Sequence, residues 1–65
     1  MIDEKDVYRS AKLMIDRHGD EAPLHAAMRA DKMLALGALG GQRTWIRILR
    51  ATEALLRGRG GDRLH

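Results

Sequence analysis

The residues able to do chemistry are few, and their spacing is poor. Three histidines stand at His18, His25 and His65. A helical metal pair needs two histidines near i, i+4 on one face, and no pair of these has that spacing. Ser10 is the only serine and there is no cysteine, so no Ser/His/Asp or Cys/His set can be assembled. The carboxylates near the start, Asp3, Glu4 and Asp6, sit where a first helical turn wants negative charge. They read as caps rather than as an acid and base pair. Gly37, Gly40 and Gly41 with nearby Arg43 lack the preceding strand and the Lys-Ser/Thr pair of a phosphate loop, so they read as turn glycines. We therefore expect no enzyme, no cofactor and no metal.

Arginine is the one functional residue type with a pattern. Arg43, Arg47, Arg50 and Arg57 fall within an arc of about 80° on a helical wheel. Arg59 and Arg63 extend this basic edge. Such an edge can neutralise phosphates, with steep salt dependence. The segment before it can be aligned with a helix-turn-helix, Gly40 being the turn glycine and Ile46 and Leu49 the buried positions. That alignment needs a late helix start, and Gln42 is the only glutamine in a chain without asparagine. A solvated arginine face is the simpler reading, with weak nucleic-acid binding as the functional alternative.

These side chains are carried by 65 residues, 45% hydrophobic but 3% aromatic, 32% charged, with net charge +3. So short a chain makes one small domain and has little material for a deep cleft. Alanine, leucine and methionine dominate its apolar mass, which favours helix. Charge is polarised: residues 1–21 sum to −2, residues 22–40 to +1 and residues 41–65 to +4. The acidic start lacks the basic and apolar regions of a secretory signal. The longest uncharged stretch, Met33 to Gln42, is ten residues, against ~20 for a membrane span. The cytoplasm is the expected compartment.

Punctuation predicts an all-α, three-helix domain over residues 1–57, with helices at about 3–18, 21–36 and 39–57. Asp3 should cap the first helix, whose core stripe is Val7, Tyr8, Ala11, Met14 and Ile15, and Gly19 should stop it. Leu13 lies off that stripe. The second helix begins after Asp20 with Pro23 in its first turn, and Gly37 is its C′ residue. Its main face holds Ala22, Ala26, Ala27, Ala30, Met33 and Leu34, small enough for close helix approach. Leu24, Met28 and Ala35 lie nearly opposite, so the helix is apolar on two sides. That suggests self-association, a homodimer or contact with another protein.

The third helix carries Trp45, Ile46, Ile48, Leu49, Leu55 and Leu56. It starts either after a Gly40-Gly41 loop or near Ala38. The early start is preferred because it gives Ala38 and Gly41 a packing role beside Trp45. Trp45 is read as a core anchor, or else as an edge exposed at a dimer interface. Arg29 and Asp31 flank Ala30, and each should reach a neighbouring helix, Asp31 toward an arginine of the third. Residues 58–65, rich in glycine and charge, are expected to form a disordered basic tail.

The order of His18-Gly19-Asp20, Arg29-Ala30-Asp31, Gly37, Trp45-Ile46-Arg47-Ile48, Ala51 and Leu55 resembles short helical proteins of unknown function from alphaproteobacteria. The resemblance covers roughly residues 3–57. In that family an acidic residue tends to follow the second glycine, where this chain has Ala38. The resemblance implies a small, soluble helical bacterial protein and brings no activity with it.

Overall fold

A computed structural model describes residues 3–63, with side chains described up to Gly58. The described chain is helical throughout, apart from short caps and one turn: α1 (Glu4–His18), a single 3₁₀ turn (Gly19–Glu21), α2 (Ala22–Ala35) and α3 (Leu39–Arg63). Asp3 caps α1 from an extended backbone, its Oδ1 accepting the Glu4 N–H at 2.8 Å. Val7, Ala11, Met14 and Ile15 form the buried stripe of α1, while Tyr8 and Leu13 are exposed.

The expectation of three separate helices is corrected at Gly19. Gly19 takes φ 59°, as a stop signal should, and its N–H still closes on the Ile15 carbonyl. No loop follows. Residues 19–21 wind directly into α2, and neither Glu21 nor His18 contributes a side-chain cap. Residues 4–35 are thus one bent helix with α1 and α2 as its limbs, and α3 is the second helix. A left-handed glycine redirects the backbone, but ending a helix also needs residues that decline to wind again.

The turn into α3 matches the early start. Ala38 N–H donates to the Met33 carbonyl at 2.8 Å and Gly37 N–H to the Leu34 carbonyl at 3.0 Å. With Gly37 at φ 75°, this is a Schellman motif, which satisfies the last carbonyls of α2. A Cβ on Gly37 would meet nothing within 4 Å, so the cost of a side chain there is conformational alone. Gly37→Ala is expected to lower stability by about 1–2 kcal/mol in urea unfolding, and an unchanged midpoint would contradict this account of the turn.

Alanine spacing governs the packing of α2 on α3. Ala22, Ala26 and Ala30 are buried along one line of α2, so the α3 backbone can approach closely. At Gly41 an added Cβ would lie 3.1 Å from the Met33 sulfur, which places Gly41 at this contact as expected. Ala38 is exposed instead. Leu34 is also exposed, because it lies about 85° from the centre of the buried face. Ile48 and Ala51 complete the core, with Trp45, Leu49, Leu55 and Leu56 packed around it.

Thr52 is fully buried, and its hydroxyl donates to the Leu49 carbonyl at 2.6 Å. A helix lets threonine satisfy its own hydroxyl in this way, so it can occupy an apolar position. Thr52→Val keeps the shape and strands no partner. We expect a change within about 1 kcal/mol, and a larger loss in chemical denaturation would show that the hydroxyl has another role.

The flexible tail expected over residues 58–65 falls largely on residues whose side chains lie outside the described ones. The backbone of α3 continues to Arg63, since glycine weakens a helix by roughly 1 kcal/mol per residue without breaking its hydrogen-bond ladder. Leu64 and His65 lie outside the described residues.

Candidate functional site

Two surfaces carry the residues singled out by the sequence. The first is the outward face of α2. On a wheel, Leu24, Met28 and Ala35 fall within about 40°, and the buried Ala22, Ala26, Ala30 side lies about 175° away. Leu24 is 59% and Met28 57% exposed, and Ala35 is exposed too. Leu36 and Leu39, also exposed, add apolar surface at the turn. The molecule measures 43 × 21 × 16 Å along its principal axes.

The second surface is the arginine edge of α3. Arg43, Arg47, Arg50 and Arg57 are all exposed. Arg47 and Arg50 form one wall of a groove of about 330 Å³ between α1 and α3. Val7, Ala51 and Ala54 supply apolar lining, while Tyr8 and Glu4 come from α1. The groove is thus lined by two arginines and a tyrosine beside apolar residues. Glu4 at the same place opposes any anion entering it.

Arg29 reaches α3, as expected, but meets an aromatic face. Its guanidinium carbon lies 5.2 Å from the centroid of the Trp45 ring, within cation–π range. Trp45 is half-buried against the core, so it is an anchor with one face covered by Arg29. Asp31 is exposed and enters no ion pair among the described residues. Its expected bridge to an α3 arginine is absent there, because Asp31 projects toward the outward side of α2 instead.

The bend creates one feature that spacing alone concealed. His18 and His25 stack face to face, centroids 3.7 Å apart and 14° from parallel. Glu21 lies 3.8 Å from His25 Nε2. The histidines stand seven positions apart, and the 3₁₀ turn between them brings the rings together. A metal needs in-plane lone pairs that converge on one point, whereas stacked rings hold theirs in parallel planes. Among the described residues no group of three or more His, Cys, Asp or Glu is placed to hold a metal ion.

No helix among the described residues is long and apolar enough to cross a membrane. Comparison with known proteins returns no match to a family model, to a curated protein or to a solved structure.

Proposed function

We propose that this chain is a small, non-enzymatic helical interaction or accessory protein that self-associates through the outward face of α2, acting in the cytoplasm as one of the short helical proteins its motifs resemble. The carrying observation is the exposure of Leu24, Met28 and Ala35 opposite a buried alanine line on the same helix. Apolar surface left in water is unfavourable by about 25 cal/mol per Å², and a second protein surface removes that penalty. Asp3 is engaged in a helix cap, His18 and His25 in a stack, and Arg29 over Trp45. That supports a role in binding rather than in catalysis. Light scattering across a dilution series up to tens of micromolar tests the reading. A mass rising from one chain toward two is expected, and a constant monomer mass would overturn it.

A second reading rests on the four exposed arginines of α3: weak, sequence-independent binding of nucleic acid by charge neutralisation. It expects a mobility shift with micromolar protein at about 50 mM salt that fades steeply as salt rises. No shift at low salt would remove it.

A further inference from the structure

We infer that the outward face of α2 recognises a second copy of this chain in parallel, with Asp31 of each copy paired to Lys32 of the other; this rests on the self-association reading above. Two charges of opposite sign flank the apolar line of Leu24, Met28 and Ala35. Asp31 lies about 40° to one side of its centre and Lys32 about 60° to the other. Both are exposed, and neither enters an ion pair among the described residues. Inside the chain these charges have no use that the structure shows. Across a two-fold axis they have one.

The symmetry decides the orientation. A two-fold axis running along the helices packs α2 parallel to its copy and brings opposite flanks together. Asp31 then faces the partner's Lys32, and Lys32 faces the partner's Asp31, one residue apart in height. Leu24 meets the partner's Leu24, and Met28 meets the partner's Met28. Ala35 lets the helix ends close. A two-fold axis perpendicular to the helices packs them antiparallel and brings like flanks together, setting Asp31 toward the partner's Asp31 when the two centres coincide. Flanking charges select partner and orientation in this way at helix–helix seams generally. Unlike charges at the rim therefore favour the parallel pair and disfavour the antiparallel one.

Charge reversal reads this directly, since both residues are exposed and outside the core. Asp31→Lys alone places lysine against the partner's Lys32, and Lys32→Asp alone places aspartate against the partner's Asp31. Each single variant is expected to self-associate at least tenfold more weakly than the original chain. An equimolar mixture of the two variants restores both attractive pairs and is expected to form a heterodimer close to original affinity, seen by sedimentation velocity with one variant fluorescently labelled. The double variant D31K/K32D is expected to regain self-association, with unchanged far-ultraviolet circular dichroism confirming its fold. If the original chain dimerises while the mixture stays no tighter than the single variants, the parallel register is wrong. Self-association of both single variants as tight as that of the original chain would likewise overturn it in favour of antiparallel packing, where like residues face each other before and after either reversal. An original chain that is monomeric throughout overturns the underlying reading instead.

Discussion

Ile48→Ala is expected to remove a large share of the chain's folding stability. Ile48 is the largest of the buried aliphatic side chains that α3 contributes, only 3% exposed and in the cluster with Val7, Ala11, Met14, Ile15, Ala22 and Ala26. It is where both limbs of the bent helix meet α3. Removing its outer carbons costs transfer energy and leaves a cavity, together about 2–5 kcal/mol. A chain of this length has a total stability of roughly 3–10 kcal/mol, so the loss is a large share of the whole. The surrounding alanines have no side-chain freedom with which to refill the space. Circular dichroism during urea titration should show a strongly lowered midpoint. Retention of the original midpoint would place the centre of the core elsewhere.

The second large effect comes from adding atoms rather than removing them. Ala26 is fully buried in the alanine line of α2, where the absence of a side chain sets the distance to α3. Ala26→Leu inserts three carbons into that contact, and overpacking of this kind costs typically 1–3 kcal/mol, occasionally more. Here the sequence offers no neighbour that can shrink, since Ala22 and Ala30 are already small. We expect loss of cooperative unfolding or a clearly lowered midpoint. The same replacement at Ala35, on the outward face of the same helix, is expected to leave the fold intact and to strengthen association. An identical response at the two positions would refute the assignment of inner and outer faces.

Much of this architecture is legible in the residues themselves. Asp3, Gly19 and Gly37 mark helix ends because capping and left-handed backbone demand particular residue types. The alanine periodicity of α2 likewise names its buried side. Local rules of this kind are short-range and survive without knowledge of the fold. What escaped the reading depends on distance in space. The 3₁₀ turn after Gly19 converts an expected break into a bend, and that bend brings His18 onto His25. Thr52 is polar by type, yet its own helix satisfies it and frees the position for the core. Arg29 found the Trp45 face where an ion pair had been one expectation for its neighbour Asp31. The exposed face of α2 was visible in advance as a surplus, because Leu24, Met28 and Ala35 remained after one apolar side had been assigned. The outward position of all three in the structure removes any internal use for them.

The most direct test of self-association through α2 is sedimentation equilibrium of the original chain beside the double variant Leu24→Lys, Met28→Lys. Both positions are more than half exposed, so the replacements leave the core untouched. The account predicts a concentration-dependent shift toward a two-chain mass for the original and a one-chain mass for the variant, at equal helicity. A single-chain mass for both, or an unchanged dimer in the variant, would contradict it.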